Sequence, residues 1–343
     1  MAERRAYLDV GIGETRGVVT LDGRPERLLI ARDGDAACQA MGAEVVGRVR
    51  KVERALALAF VDLGAGPDAV LNLRPEMGRI AEGQALHLEV RTEARAGKGA
   101  TLRLIGEGQG APRVLTPAPS LADELAAIIA GPPRTGAGAR DFADQAEAEA
   151  LETLFPLPGG GAVAIERTRA LVAIDVDVGD RPGAEAKRVT RAANLAALTT
   201  AARLLRLKGE GGLVVIDLAG RGQDGPPLLA AARAAFGPDA GVAFGPISRF
   251  GTLELTIPRR RRSAAETLLD AAGRPTDLTL ALRLVRAIEH AAQADRGARL
   301  AAYAAPEIAA AAGPYLPALT ARFGGRIALT PEPGRPREAF DVR

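Results

Sequence analysis

Three aspartates, Asp175, Asp177 and Asp217, are the residues of this chain whose types and spacing best suit chemistry. Each closes an apolar run of strand character: Leu171–Ile174 leads into Asp175 and Asp177, and Leu213–Ile216 leads into Asp217. Between the runs, Glu185–Leu207 places Val189, Leu195, Leu198, Ala202 and Leu205 near the helical period. Strand, helix, strand is a right-handed crossover, so the two runs are expected to be parallel neighbours about 4.8 Å apart. Their carboxylates then meet at matching ends, where open α/β sheets bind ligands. Residues 175 and 177 share a face of their strand. Carboxylates gathered in this way repel one another unless a hard cation such as Mg²⁺, or Mn²⁺ in its place, takes them as oxygen ligands. From spacing alone, the same aspartates can equally be turn formers or helix N-caps.

Basic residues follow downstream. Val242–Phe244 and Thr252–Ile257 read as strands flanking Ser248-Arg249-Phe250-Gly251, and Pro258 then introduces four consecutive arginines, Arg259 to Arg262. Lying one strand from the acidic group, the run reads either as a phosphate clamp, Arg259 and Arg260 foremost, or as solvated surface.

The rest of the chain must position these groups, and its composition narrows the options. In 343 residues, 47% apolar content supports real cores, while 3% aromatics and no Trp leave Ala, Val, Leu and Ile to build them. The net charge of +3 excludes a histone-like polycation but permits a local basic groove. A lone Cys38 excludes an internal disulfide framework and a CxxC zinc site within one chain. Two distant histidines, His87 and His290, leave Ser-His-Asp chemistry or a zinc-hydrolase cluster poorly supplied. The charged start Met1–Tyr7 does not read as a signal peptide, and no apolar run approaches the roughly 20 residues of a membrane helix. A cytoplasmic protein without membrane association is expected.

Along the chain, Arg5–Val10, Glu14–Leu21 and Arg27–Ala31 alternate as strands, with Asp22-Gly23 as a hairpin turn. Glu44–Val52, Ala57–Leu63, Ala69–Leu73, Ala85–Thr92 and Ala100–Ile105 are short strands with Gly-rich turns, the pattern of a Greek-key barrel of the OB type. The turn Glu93–Gly99 carries Arg95 and Lys98, suited to a phosphate backbone. Gly106–Ser120 reads as a connector, Leu121–Ala130 and Arg140–Phe155 as helices around the breaker Gly131–Gly138, and Ala162–Glu166 pairs as a hairpin with Ala170–Asp177. After Pro258, a long helix over Leu278–Ala294 and a small domain ending near Ala328–Leu329 are expected.

Leu171–Asp177, Asn194-Leu195, Ala202–Leu207, Gly211–Asp217 and Ile247–Glu254 together resemble the catalytic core of the ribonuclease E/G family in order, spacing and identity. Gly13-Glu14-Thr15-Arg16, Leu58–Gly64 and the ending Phe340-Asp341-Val342 also resemble that family's entry strands, RNA-binding barrel and carboxyl terminus. The fold this resemblance implies is α/β (α+β), with an OB-type barrel inserted in an RNase H-like/DNase I-like catalytic core and a small C-terminal domain. Residues 1–42 would be entry strands, 43–105 the barrel, 106–160 connector and helices, 161–262 the catalytic core and 263–343 the C-terminal helix and small domain. The implied activity is Mg²⁺-dependent endoribonucleolytic hydrolysis of single-stranded RNA in rRNA or mRNA processing or decay, leaving a 5′-phosphate on the downstream product.

The family's metal-binding aspartates fall on Asp175 and Asp217, and Arg249 would neutralise charge on the phosphoryl group. On the barrel, Phe60 matches a base-stacking aromatic, with barrel core as its other reading, and Lys98 matches an RNA contact. Several positions depart from the pattern. Asp177 stands where the family has Asn, and Val70 stands where it has a second stacking ring. Gly106–Ser120 is too short for a 5′-monophosphate sensor, and Leu269–Asp277 lacks the cysteine pair that binds zinc between subunits. A homo-oligomer would then form through apolar contacts rather than zinc. The departures keep open an RNA-binding protein with weak or lost catalysis, and the acidic pair alone admits a small-molecule Mg²⁺ phosphohydrolase.

Overall fold

A computed structural model describes residues 3–95, 97–180, 185–220 and 225–343. Alternating sequence gives the first sheet: β1 (Arg4–Val10), β2 (Glu14–Leu21) and β3 (Arg24–Arg32) pair antiparallel in that order. Asp22 and Gly23 join β2 to β3 with φ of 49° and 79°, the doubly left-handed turn that matches strand twist. β3 starts three residues before the expected Arg27, because Arg24 already pairs with Leu21.

Five strands close the barrel: β4 (Glu44–Glu53), β5 (Leu58–Asp62), β6 (Ala69–Asn72), β7 (Ala85–Thr92) and β8 (Thr101–Glu107). They pair in the circular order β4-β5-β6-β8-β7-β4, with β6 and β8 parallel and the remaining neighbours antiparallel, which is an OB-type barrel. Its separate core holds Val45, Val49, Ala59, Val61, Leu71, Leu88 and Val90. The stretch expected as a plain connector instead contains β9 (Arg113–Thr116), an extra strand on β4, where Val114 and Leu115 supply strand character despite flanking Pro residues.

The rest of the chain begins with α1 (Leu121–Ile129) and α2 (Ala137–Leu151). The capping box of Ser120 with Asp123 sets the start of α1. The expected helix over 140–155 is corrected at both ends: α2 starts earlier, and Phe155 lies in β10 (Leu154–Pro156), paired with the sheet's edge. Then come β11 (Ala162–Arg167), β12 (Val172–Asp177), α3 (Ala186–Lys208), β13 (Gly212–Asp217), α4 (Gly225–Ala235), β14 (Ala243–Ile247) and β15 (Thr252–Ile257). Their order in the sheet is β10-β11-β12-β13-β15-β14, with β12 and β13 parallel through the α3 crossover. Gly209, left-handed at φ 67°, ends α3. One continuous core joins Tyr7, Val18 and Leu28 of the first sheet to α2, α3 and the six-stranded sheet.

α5 (Ala264–Leu268), capped by Ser263, falls outside the sequence reading. α6 (Asp277–Ala294) starts at the Thr276 cap. β16 (Leu300–Ala304), α7 (Pro306–Ala312), α8 (Leu316–Phe323), β17 (Ile327–Pro331) and β18 (Phe340–Val342) follow, in the sheet order β17-β16-β18. α6 buries Leu280, Leu284, Val285 and Ile288 against β16, α7 and α8 of its own chain, so that apolar face is already occupied and is not offered to a second subunit. Among the described residues, no helix is long and apolar enough to cross a membrane.

Beneath these layers lies a buried charge network. Arg16 of β2 is fully buried and bonds Asp9 at 2.6 Å, Asp144 at 2.7 Å and Glu147 at 3.0 Å. Burial alone would lower its pKa, but Glu147, Asp144 and Asp9 raise it above the ordinary arginine value. Arg286 of α6 joins Glu147 to Glu14 of β2, which fixes the C-terminal unit onto the first sheet.

Candidate active site

β12 alternates as Val172, Ile174 and Val176 buried against Asp175 and Asp177 exposed. β13 likewise buries Val214 and Ile216 and exposes Asp217. In the parallel register Asp175 is the direct partner of Asp217, so the crossover brings both carboxylates to one point on the carboxyl edge. Neighbouring strands are roughly 4.8 Å apart, close enough for two carboxylates to share one cation. Among the described residues neither carboxylate has an ion-pair or hydrogen-bond partner. That donor set, two exposed and uncompensated oxygen ligands side by side, fits a hard divalent cation. Among the described residues, no group of three or more Asp, Glu, His or Cys is arranged to hold a metal, so the pair would use water or substrate for its remaining positions.

Asp177 lies on the same face, and its Oδ1 accepts from the Gly179 amide at 3.0 Å. One oxygen thus shapes the turn leaving β12, and the other stays free for the site. Gly161 makes this end of the sheet possible: at φ 74° it approaches the Asp177 carbonyl so closely that a Cβ would lie 2.2 Å from that oxygen.

Asp217 is positioned from two sides. Asn194 of α3, fully buried, donates from Nδ2 to the Ala219 carbonyl at 3.1 Å and accepts from the Ala219 amide at 2.9 Å. This clamp fixes the backbone two residues beyond Asp217. On the other side Thr252 of β15 is the register partner of Asp217, and the Leu218 amide donates to the Gly251 carbonyl at 3.2 Å. The β14–β15 turn, Ser248 to Gly251, therefore stands beside the carboxylates and carries Arg249 there. Its guanidinium lies 4.7 Å over the Phe250 ring.

The barrel presents a different surface. Phe60 of β5 points away from the barrel core, whose members on that strand are Ala59 and Val61. It is half-buried on the outer face between Val70 of β6 and Lys51 of β4. The barrel-core reading of Phe60 is thereby excluded. Val70 pairs onward with Thr101, and the Arg95–Lys98 turn feeds that strand.

The arginine run is not beside the acidic pair. β15 runs antiparallel to β13, so Thr252 stands opposite Asp217 while Ile257 stands opposite Gly212. The run thus lies beyond the far end of the strand, roughly 17 Å away at about 3.3 Å per residue. The expectation of a clamp on the phosphate held by the aspartates fails for that reason. Arg261 instead pairs with Glu93 of the barrel and Glu124 of α1, and Arg262 pairs with Asp35 and Glu93. The Glu93 amide also donates to the Arg260 carbonyl at 2.8 Å. These bonds dock the barrel on the core. Arg259 packs over Gly211 and Gly212, and desolvation, reinforced by Arg95 and Arg167, lowers its pKa. Arg95, Arg259 and the exposed Arg260 thus gather at the junction of barrel and core, and among the described residues neither Arg95 nor Arg260 has an ion-pair partner.

Sequence reasoning missed three positions. Asn194 was legible as part of a motif, yet its grip on Ala219 required the fold. Glu93 gave no signal, because its partners lie about 170 positions away in sequence. Phe250 stood inside a quoted motif, but exposure alone separates it from core.

Comparison with known proteins places residues 141–262 in a match to the Ribonuclease E/G family. The chain is 37% identical over 119 residues to Ribonuclease E of Haemophilus influenzae, covering 32% of this chain. It is 33% identical over 119 residues to a chloroplastic ribonuclease E/G-like protein of Arabidopsis thaliana, covering 33% of this chain. Over 171 residues, 47% of this chain, it is 30% identical to Ribonuclease E of Buchnera aphidicola. The matched part spans only 12%, 12% and 19% of the length of these relatives.

Proposed function

We propose, for a chain whose residues 141–262 form a domain of the ribonuclease E/G family, a Mg²⁺-dependent endoribonuclease that hydrolyses single-stranded RNA in rRNA or mRNA processing or decay. The observation that carries this reading is the parallel register of Asp175 with Asp217 at an exposed strand edge. Asp175 and Asp217 would hold the cation, Mn²⁺ being an alternative to Mg²⁺; when bound it supplies Lewis-acid polarisation of a phosphate and a lowered pKa for an attacking water. Arg249 neutralises charge developing on the phosphoryl oxygens from the neighbouring turn. Asn194, through Ala219, keeps the backbone after Asp217 from yielding, and Asp177 orients a water or ligand with its free oxygen. Attack by water at phosphorus leaves a 5′-phosphate on the downstream product and a 3′-hydroxyl upstream.

Away from this edge, Phe60 stacks a base on the barrel's outer face, a contact worth about 1–3 kcal/mol. Lys98, Arg95, Arg259 and Arg260 meet backbone phosphates. The 106–120 segment is occupied by β9 and its turns, which supports cleavage independent of the 5′-phosphorylation state. The protein acts in the cytoplasm, and any self-association proceeds without zinc.

The deciding experiment titrates Mg²⁺ and Mn²⁺ against a fluorescent single-stranded RNA with wild type, Asp175→Asn and Asp217→Asn. Wild type should cut, and each variant should slow cleavage about a thousandfold, the equivalent of roughly 4 kcal/mol of lost transition-state stabilisation. No cleavage by wild type in either metal, or equal cleavage by Asp217→Asn, overturns the reading. Salt-dependent binding without cleavage at any metal concentration would favour an RNA-binding protein that has lost catalysis.

A further inference from the structure

We propose that Phe250 is a base-stacking residue that seats the nucleobase flanking the scissile phosphate, a proposal that rests on the endoribonuclease reading of the Asp175/Asp217 edge. In a chain with only 3% aromatics, Phe250 is 77% exposed, more than any other large apolar side chain among the described residues. A ring this exposed buries little apolar area against the protein and leaves most of its surface open to a ligand.

The turn that carries Phe250 is rigid. The Ser248 Oγ accepts from the Phe250 amide at 3.2 Å and the Thr252 amide at 3.3 Å, and shares a hydrogen bond of 2.7 Å with the Thr252 hydroxyl. The Ser248 amide donates to the Thr252 carbonyl at 2.9 Å, and the Gly251 amide donates to the Ser248 carbonyl at 3.0 Å. Gly251 closes the turn at φ 93°, a conformation open to glycine. The ring is therefore pre-positioned, and little ordering entropy is lost when a base settles on it.

Its location is equally specific. Thr252, two residues on, is the register partner of Asp217, and Gly251 accepts the Leu218 amide. The Arg249 guanidinium lies 4.7 Å over the ring, a cation–π contact that covers part of it with the charge meant for the phosphate. One short turn thus offers a cation for the phosphate and an open ring for the adjoining base. Every base has a π-face, so such a contact favours unstacked, single-stranded RNA with little sequence preference. A base still paired in a duplex keeps its faces stacked on its neighbours and is excluded.

Two measurements on the full chain test this. In the first, single-stranded RNA carrying an abasic nucleotide at each position around the cleavage site is cut by wild type, Phe250→Ala and Phe250→Tyr. One abasic position should lower kcat/KM for wild type roughly tenfold, Phe250→Ala should lose a similar factor on intact RNA, and the two losses should not add. Phe250→Tyr should restore wild-type behaviour. In the second, 2-aminopurine placed at each position of the RNA in turn reports stacking without cleavage, its fluorescence quenched by wild type at one position and recovered there with Phe250→Ala. Additive losses, wild-type cleavage by Phe250→Ala, or equal quenching by the two proteins overturns the proposal. Wild type that quenches but cuts nothing removes the endoribonuclease reading and leaves the stack standing.

Discussion

Two clusters of charge in this protein differ in one respect that separates scaffold from chemistry. At the junction of the first sheet with α2 and α6, Arg16, Arg286 and Arg283 are each met by a carboxylate, and Glu147 alone receives three guanidinium groups. At the carboxyl edge of the six-stranded sheet, Asp175 and Asp217 face one another and, among the described residues, no cation. The first cluster is buried and balanced. The second is exposed and like-charged. Burial without balance would be very costly, so the inner cluster must be complete in order to fold. An outer cluster needs no completion to fold, and its deficit of positive charge is what a metal or a phosphate-bound cation can fill. The arginine run obeys the same rule, since Arg261 and Arg262 are spent on Glu93, Glu124 and Asp35 while Arg260 remains unpaired among the described residues.

This contrast can be broken by mutation, and the inner cluster should give the largest effect. Arg16→Ala leaves Asp9 buried without its partner and takes one of three guanidinium groups from Glu147, and denaturant unfolding should read a loss of roughly 3–5 kcal/mol. Stability within about 1 kcal/mol of wild type would show that the network is not a folding requirement.

Lys208 sharpens the case because it is buried yet only half balanced. Its ammonium donates to the Ala150 carbonyl at 2.8 Å and to the Glu152 carbonyl, and burial lowers its pKa to about 8 from the ordinary lysine value of 10.5. Below pH 8 the amine is charged both folded and unfolded, so the burial penalty is fully present. Between pH 8 and 10.5 the unfolded chain holds the proton more tightly, so stability should rise with pH. The gain is on the order of 3 kcal/mol, measured as the difference between wild type and Lys208→Met across that range.

Smaller effects follow at the junction and the edge. Glu93→Gln weakens the acceptor that holds Arg261 and the Arg262 amide, and should cost about 2 kcal/mol, with faster hydrogen exchange confined to the barrel–core contact. Asp217→Asn should leave unfolding within about 0.5 kcal/mol of wild type while slowing cleavage about a thousandfold. A marked stability change there would give Asp217 a structural role and erase the distinction between the clusters.

The strands and the α3 crossover were legible because periodicity is local: Val172, Ile174 and Val176 alternate with Asp175 and Asp177 in sequence as they do in space. The meeting of Asp175 and Asp217 followed from chirality and strand spacing alone. What stayed hidden depends on partners distant in sequence. β9 is a strand only because β4 offers an edge, and α5, β16 and α7 are short segments with too few residues to carry a period. The arginine run misled because direction along β15, not distance in sequence, decides which end of the sheet it reaches.

The turn between β1 and β2 has a consequence for how this chain comes into being. The Ile12 amide donates to the Glu289 carboxylate across 277 positions, and Gly13 packs so tightly on Tyr315 and Leu282 that a Cβ would clash with both. At roughly 5–20 residues per second, synthesis separates these partners by about 15–55 s. Throughout that interval Glu14 lacks Arg286 and the loop lacks its cover, so β1 and β2 are made well before the elements that complete their environment.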